Sequence, residues 1–484
     1  MPLANIPSLS YFIPELILCA AVLVLLIISV YKETHNMSYY VTVLSLFISL
    51  LGVIYYIKYH DVFILFEESI ILDPLSSFMK IVILVSVLAT IFLCFHNKEV
   101  KKEDWSEYYV LIIIATIGMF LMVSSLNLLM IYLAIEMLSI PSYMLAGFNH
   151  DDVESNEASM KYVLYGSFAS GLMLFGMSWI YGQVGSLYLF DIGNHVASTS
   201  QFEITSILTF IFLFAGFGYK ISSAPFHYWV PDVYQGSPAP VTLFFSVAPK
   251  VAGLVLLSRF LYTGMTIDDF TNPAYVDWNF ILAVLSAATM TIGNILAIRQ
   301  KNVKRVFAYS SISHVGFMMM AFCVTSFTAL IHMIFYIVIY MFMTIGAFGV
   351  LILFINKYSL KSVSDWNGIG YIHPFICSFM VLNLLSLAGL PPTSGFVSKF
   401  YILSTIIESK TFYWLAVVAI INTVIALYYY FNIARAMFLE KPTALEYKKP
   451  ESLIVAIIAI FSIQGLLFYF YWSDLYDIIR GIFL

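Results

Sequence analysis

Apolar runs of about 20 residues recur along this 484-residue chain, separated by short polar segments. About 20 apolar residues let a helix cross the hydrocarbon core of a bilayer, whereas membrane β-barrels give shorter alternating segments. The pattern therefore predicts an all-α polytopic membrane protein with about fourteen transmembrane helices and no soluble domain between them. The predicted spans are 9–31, 38–57, 75–96, 108–126, 128–148, 158–182, 203–222, 239–262, 277–298, 306–324, 327–355, 373–402, 411–438 and 452–475.

Composition agrees with this interpretation, because 61% of the residues are hydrophobic and only 11% are charged. Soluble proteins carry roughly 25% charged residues. No basic region or small-residue cleavage site marks a signal peptide, so we interpret Ile17 to Val30 as part of a retained first helix. The cysteine spacing suggests neither a metal site nor a disulfide framework. The cysteines are Cys19, Cys94, Cys323 and Cys377.

The loop cations predict an orientation. With the N-terminus outside, the cytoplasmic loops carry 15 lysines and arginines and the outer loops carry 3. Because cytoplasmic loops are enriched in these residues, both termini are expected to lie on the periplasmic side. The 15 are Lys32, Lys98, Lys101, Lys102, Lys161, Arg299, Lys301, Lys304, Arg305, Lys357, Lys361, Arg435, Lys441, Lys448 and Lys449, and the 3 are Lys58, Lys410 and Arg480.

Five further cations fall inside predicted spans. They are Lys80, Lys220, Lys250, Arg259 and Lys399. Long basic side chains near a helix end can reach the membrane interface, and we interpret Lys80 and Arg259 in this way. Glu15, early in the first span, is interpreted as interfacial. The remaining three lysines are harder to explain by an interfacial position.

Glu136 and Lys220 are the first pair of candidate functional residues. Glu136 lies deep in "LLMIYLAIEMLSIPSYML", where a carboxylate is costly and normally has a partner; a structural polar anchor is the alternative. Lys220 precedes Pro225, and a proline break in a membrane helix requires protein or water to satisfy the backbone. A lysine at such a break suggests a hydrated cavity, although it could also extend to the cytoplasmic face.

Three candidates follow this break. His227 changes charge near neutral pH, and a relay or a structural hydrogen bond remain equally open for it. Asp232 is interpreted as a cap or loop residue rather than a proton carrier. Lys250 lies about twelve residues into the next apolar run, with no interface within reach. A permanently charged lysine there would be costly, so we expect a functional, titratable amine.

The second half repeats the combination of a break and a lysine. Pro391 and Pro392 interrupt an apolar segment beside Gly389 and Gly395, and Lys399 follows. Paired interrupted segments in two halves indicate a transporter built from inverted repeats. We therefore predict two discontinuous helices within two inverted five-helix repeats.

The spacing of the ionisable residues supports comparable halves. Glu136 lies 84 residues before Lys220, and His314 lies 85 residues before Lys399. The halves are not identical, because Tyr429 stands where the second half would match Lys250.

The predicted organisation has four parts. Residues 1–107 form three N-terminal helices, 108–262 the first five-helix repeat, 277–438 the second repeat, and 439–484 a loop and the last helix. An odd number of helices in each repeat inverts the second relative to the first. The two broken helices would then supply half-channels from opposite membrane faces, and protons could follow the midplane Glu, Lys and His side chains.

Four motifs resemble the antiporter-like subunits of respiratory complex I. They are "YLAIEMLSIPSYML", "GYKISSAPFHYWVPDVYQGSPAPVT", "NILAIRQKNVKRVFAYSSISHVGF" and "LAGLPPTSGFVSKFYI". The run "PDVYQGSPAPVT" and the compact fourteen-helix length are most similar to the N-type subunits of the bacterial NADH:quinone oxidoreductase. The resemblance covers nearly the whole chain and is most specific over about 130–400.

This resemblance implies a proton-translocating, non-redox subunit. It implies that Glu136 and Lys220 form a carboxylate–lysine pair, that Lys250 is the central proton carrier and that Lys399 lies on the outlet side, with His227 and His314 as relays. NADH, FMN, iron–sulfur clusters and quinone would then bind to other subunits, with no metal in this chain. The expected partners are another antiporter-like subunit, small membrane subunits and lipids, and no nucleic acid.

Two other functions remain open from the sequence. A secondary cation/proton antiporter subunit shares this fold and differs in what drives transport. A structural membrane subunit would use its buried charges only for assembly.

Overall fold

The structure is a computed structural model that describes residues 3–31, 35–58, 62–95, 97–198, 204–264, 278–324, 326–441 and 446–483. Within these ranges the chain forms twenty α-helices, four short 3₁₀ segments and one antiparallel hairpin. The helices are α1 Asn5–Ser8, α2 Ile13–Val30, α3 His35–Ile57, α4 Pro74–Cys94, α5 Trp105–Ser124, α6 Leu128–Ala146, α7 Val153–Val184, α8 Leu189–Ser198, α9 Ile204–Ile221, α10 Trp229–Gly236, α11 Ala239–Gly264, α12 Trp278–Ile298, α13 Val303–Met319, α14 Phe327–Tyr358, α15 Ile369–Ile372, α16 Pro374–Ala388, α17 Ser394–Ser409, α18 Tyr413–Leu439, α19 Ser452–Phe470 and α20 Trp472–Phe483. The strands are β1 Phe63–Leu65 and β2 Ile70–Leu72, and the 3₁₀ segments are Leu9–Tyr11, Lys102–Asp104, Met320–Cys323 and Val363–Trp366.

The helix inventory confirms the predicted all-α membrane fold. Twelve helices of the described chain are long and apolar enough to cross a bilayer, and two shorter apolar helices, within α9 and α16, bring the number to fourteen. Both short helices fall where the sequence predicts an interrupted segment. The inverted relation of the two five-helix units stays a prediction.

The β-hairpin and α20 are among the elements that the sequence did not predict. Strands β1 and β2 pair Phe63 with Leu72 and Leu65 with Ile70, but three-residue strands give too short an alternation to stand out in sequence. The last predicted span, 452–475, ends at Phe470, and the chain then begins α20. Helix α20 packs against α4 and α14, and Ile479 on its apolar side is buried.

The centre of the molecule consists of α11, α13 and α14. In their most apolar windows, 100%, 100% and 94% of the residues are buried, against 33%, 28% and 28% in α2, α3 and α19. Helix α11 contacts α4, α5, α9, α13 and α14. Charged residues on these central helices are therefore shielded from lipid by protein.

The first break separates α9 from α10. Helix α9 ends at Ile221, and Ser222 has a φ of +67°, a left-handed conformation that a helix cannot continue through. Pro225 follows in the connecting segment and supplies no backbone N–H. Trp229 Nε1 donates to the Tyr219 carbonyl across the gap at 3.1 Å, which holds the two helices together.

The second break separates α16 from α17. Gly389 ends α16 with a φ of +80°, a conformation that glycine adopts without steric cost. At Gly395 an added Cβ would overlap the Ser386 carbonyl oxygen, so only glycine allows this close approach of the two helices. Both breaks therefore depend on specific backbone positions.

Loops with predicted cytoplasmic cations meet at one end of the molecule. We call this end the basic face and define it by the loops 97–104, 149–152, 299–302, 356–365 and 446–451. Contacts between these loops include Lys101 with Asp151 at 2.7 Å, Val363 N with the Lys301 carbonyl at 2.8 Å, and Lys357 with Glu451 at 2.6 Å. These contacts place the five loops on one side of the molecule, and which side of the membrane they face stays a prediction. Lys32 lies outside the described residues.

The structure contradicts the interfacial interpretation of three charged residues. Lys80 and Glu15 form an ion pair at 2.6 Å, with side chains only 5% and 1% exposed. Arg259 is also buried; it pairs with Asp73 at 2.5 Å and donates from Nε to the Val123 carbonyl. Each group has a protein partner, so it does not have to reach the interface.

Candidate functional site

Glu136 and Lys220 approach each other without forming an ion pair. Lys220 is buried and donates from Nζ to Ser139 Oγ at 3.0 Å. Ser139 lies three residues after Glu136 on α6, so the two share a helix face. Glu136 is half-buried and accepts a hydrogen bond from Ser170 Oγ on α7. The carboxylate still acts electrostatically on the Lys220 amine.

His227 occupies the first break but is not joined to the lysines. Its ring is buried and stacks on Tyr228, with centroids 4.5 Å apart. Its Nδ1 has no hydrogen-bond partner in the described part of the chain. The geometry therefore leaves both earlier interpretations of His227 open.

Asp232 is neither a helix cap nor a loop residue. It lies in the first turn of α10 and pairs with Lys161 at 2.7 Å and Arg305 at 2.6 Å. Burial by itself would raise the pKa of Asp232, but the hydrogen bonds and charges of Lys161 and Arg305 outweigh burial and lower it. Asp232 therefore ties α7, α10 and α13 together near the basic face.

Lys250 lies near the middle of α11, in the centre of the molecule. Its side chain is 2% exposed, and Nζ donates to Ser311 Oγ on α13 at 2.6 Å. The amine also lies 5.5 Å from the centre of the Tyr234 ring. Aromatic faces attract cations, so this position suits the charged form, while the serine can bind either form.

His314 continues the polar line one turn further along α13. Its Nδ1 is 2.9 Å from Tyr336 Oη and its Nε2 is 3.2 Å from Tyr430 Oη. Tyr430 Oη also contacts Ser310 Oγ. His314 interacts electrostatically with the lysines on both sides of it, Lys250 and Lys399.

Lys399 folds back across the second break. Its Nζ donates to the Ala388 carbonyl at 2.9 Å and to the Leu387 carbonyl at 3.2 Å. These carbonyls end α16, where the helix dipole is negative and favours a cation. The amine also lies 4.7 Å from the centre of the Phe317 ring. The break thus provides backbone oxygens for a buried ammonium group.

Several hydroxyl groups of the site were not predicted. Ser139, Ser311 and Tyr430 contact the titratable side chains directly. The segment "AYSSISH" gave a signal, because Ser311 and His314 are spaced to share one helix face. Tyrosines gave none, since the chain contains 34 of them.

The arrangement is suited to the movement of protons. Amines, imidazoles and hydroxyls can each give up one proton and take another. In the described residues no group of three or more His, Cys, Asp or Glu side chains could hold a metal ion.

Comparisons with known proteins identify the family of this chain. Residues 125–426 match the family described as "NADH:quinone oxidoreductase/Mrp antiporter, TM". The chain is 37% identical to NADH-quinone oxidoreductase subunit N 2 of Sorangium cellulosum, covering 99% of this chain and 97% of that protein. It is 36% identical to NADH-quinone oxidoreductase subunit N of Chlorobium chlorochromatii, covering 90% and 86%.

Solved structures share the fold. A chain of respiratory complex I from Thermus thermophilus is 26% identical, with a TM-score of 0.79 over 96% of this chain and 98% of that one. A chain of the Mrp complex from Dietzia sp. DQ12-45-1b is 17% identical, with a TM-score of 0.86 over 98% and 97%. The latter likeness concerns the fold alone.

Proposed function

Because this chain belongs to the subunit N family of NADH-quinone oxidoreductases, we propose that it is a proton-translocating, non-redox membrane subunit of such a complex. The observation that carries the proposal is the buried line of Lys250, Ser311, His314 and Lys399 across α11, α13 and α17. Electron transfer would occur in other subunits, which would hold NADH, FMN, iron–sulfur clusters and quinone. The partners of this chain would be other membrane-arm subunits and lipids.

Proton movement along this line requires no electron transfer. At each step an N–H or O–H bond breaks on one group and another forms on the next, so one proton enters for each proton that leaves. Lys220 and Glu136 would set the protonation state in the first half of the subunit. Lys250 would carry the proton at the centre, and Lys399 would release it. His314 would pass the proton between the two lysines, with His227 as a further relay in the first break.

The cation distribution supports an orientation for this movement. We place the basic face in the bacterial cytoplasm and both termini in the periplasm, in the inner membrane. Residues 1–107 would then precede two inverted five-helix units, 108–262 and 277–438, and residues 439–484 would form a loop and a further transmembrane helix. Protons would enter at the basic face and leave at the opposite face.

A cation/proton antiporter subunit is the second candidate, favoured by the fold that this chain shares with the Mrp complex chain. The two candidates differ in the driving force. Proton translocation that starts only when NADH is oxidised supports the first candidate, and translocation driven by a sodium or potassium gradient in the purified complex supports the second.

Substitution of Lys250 tests the proposed function. Lys250→Arg keeps a positive charge but cannot release a proton at accessible pH, so we expect assembled complex without proton translocation through this subunit. Lys250→Ala is expected to lose translocation as well. The measurement is the number of protons moved per electron in reconstituted complex, with subunit content checked.

The matched control is Lys449→Arg, at an exposed lysine of the basic face, which should behave as wild type. A merely structural cation predicts the opposite result, in which arginine rescues function and alanine does not. Wild-type translocation in Lys250→Arg would exclude titration of this amine as an essential step.

A further inference from the structure

A polar cavity opens at the basic face, away from the line of buried lysines. It is a small cavity that is partly open to solvent. Carboxylates and lysines share its lining, which includes Glu99, Asp152, Glu154, Lys304 and Lys361. A cavity with this lining can hold water and can exchange protons with it.

Lys304 forms the inner wall of this cavity. The lysine is buried, and its Nζ donates to the Ser237 carbonyl at 2.8 Å and lies 3.9 Å from Glu99 Oε1. The other oxygen of Glu99 accepts a hydrogen bond from Ala239 N at 2.7 Å, at the start of α11. Glu99 and Lys304 therefore lie where the cavity meets the helix that carries Lys250.

A stripe of polar side chains on α11 connects this point to Lys250. Thr242, Ser246 and Lys250 follow one another at intervals of four residues, which places them on one face of the helix. Thr242 Oγ1 donates to the Tyr234 carbonyl at 3.1 Å. The Ser246 carbonyl accepts a hydrogen bond from Tyr340 Oη at 3.1 Å.

Helix α13 carries a polar residue at each end of the same interval. Ser311, the partner of Lys250, follows Lys304 by seven residues, or about two turns and roughly 10 Å along the axis. Tyr234 of α10 lies beside Lys250, whose Nζ is 5.5 Å from the centre of the tyrosine ring. Polar side chains of α10 and α11 therefore lie along the interval between the cavity and the central lysine, while Phe307 and Ala308 occupy the turn of α13 between Lys304 and Ser311.

We infer that the cavity is the proton-uptake site, and that Glu99 and Lys304 pass protons from cytoplasmic water to the stripe that ends at Lys250. The inference rests on the proposed function and adds to it the residues at which the proton enters. In the uptake step a hydronium O–H bond breaks and an N–H bond forms on neutral Lys304. In the next step that N–H bond breaks, and the proton passes through water and hydroxyl groups to neutral Lys250.

The decisive variants separate a titrating lysine from a fixed charge. In Lys304→Arg the charge and the contacts to Glu99 and Ser237 can persist, but the proton is not released. We expect this variant to lose as many translocated protons per electron as Lys250→Arg does in the same preparation. Lys304→Met should show the same loss, and Lys301→Met, at an exposed lysine outside the cavity, should match wild type.

Glu99→Gln tests the carboxylate separately. The glutamine oxygen can still accept from Ala239 N, so the start of α11 stays capped while the negative charge is lost. We expect reduced translocation in Glu99→Gln and partial recovery in Glu99→Asp. Equal translocation in Glu99→Gln and wild type would show that Glu99 is not part of the uptake site.

The outcomes distinguish this inference from the proposed function. Wild-type translocation in Lys304→Arg, together with a loss in Lys250→Arg, would overturn the uptake site and leave the proposed function intact. Wild-type translocation in Lys250→Arg would defeat the proposed function itself. If Lys304→Met fails to assemble, the comparison of Lys304→Arg with Lys250→Arg still decides.

Discussion

Lys220 and Lys250 each donate a hydrogen bond to a serine, Ser139 and Ser311 respectively. Neither lysine belongs to an ion pair within the described chain. A carboxylate in contact would hold the amine in its charged form, whereas a hydroxyl can accept from an ammonium group and donate to a neutral amine. The serine partners therefore suit side chains that must exist in both states.

At the scale of single residues, Glu136 is expected to control Lys220 from beyond contact distance. Glu136→Gln removes the negative charge that favours the protonated lysine, so it should lower the number of protons moved per electron. Glu136→Asp keeps the charge and should retain part of the activity. Both variants are to be measured as reconstituted, fully assembled complex.

Glu68→Gln is a matched control, because Glu68 is an exposed carboxylate in the hairpin turn. It should translocate protons as wild type does. The hypothesis for Glu136 would be abandoned if Glu136→Gln gave an unchanged proton-to-electron ratio at normal subunit content.

At the scale of the helix, one buried ion pair connects two helices that carry no part of the proton line. Lys80 and Glu15 link α4 to α2. Removing one member leaves the other buried without a counter-charge, which typically costs about 3–5 kcal/mol. We therefore expect Lys80→Met to reduce the thermal stability and the yield of the complex.

The double variant separates charge from volume. Glu15→Gln together with Lys80→Met removes both charges, so it should recover much of the stability that Lys80→Met loses. Thermal unfolding of the purified complex measures both. A double variant less stable than Lys80→Met would contradict a role for the unpaired carboxylate in that loss.

The helix scale also shows what could be predicted from sequence. Apolar length predicted the spanning helices, and Pro391 and Pro392 marked the second break, because these signals act within one segment. The resemblance to complex I subunits is confirmed. The partners of Glu15 and Arg259 were missed, because Lys80 and Asp73 reach them from other helices and no local pattern encodes that packing.

At the scale of the whole molecule, the orientation is directly testable. With both termini periplasmic, Asn302 in the loop "RQKNVKR" should be cytoplasmic. A single cysteine at residue 302, in a variant of this chain without its four cysteines, should resist impermeant thiol reagents in intact cells. It should react once the membrane is opened.

A single cysteine in place of Glu68, on the hairpin at the opposite end, should show the opposite labelling. It should react in intact cells, because the two ends of the molecule face different compartments. Labelling at residue 302 and protection at residue 68 in intact cells would invert the proposed orientation.

The contact between Glu99 and Ala239 has a consequence for the evolution of this protein. Glu99 belongs to the first 107 residues, yet it caps the start of the helix that carries Lys250. An exchange of the N-terminal segment between related genes would therefore also replace Glu99, which lines the cavity at the basic face. Only segments that bring a compatible side chain to this position could be inherited independently of the five-helix units.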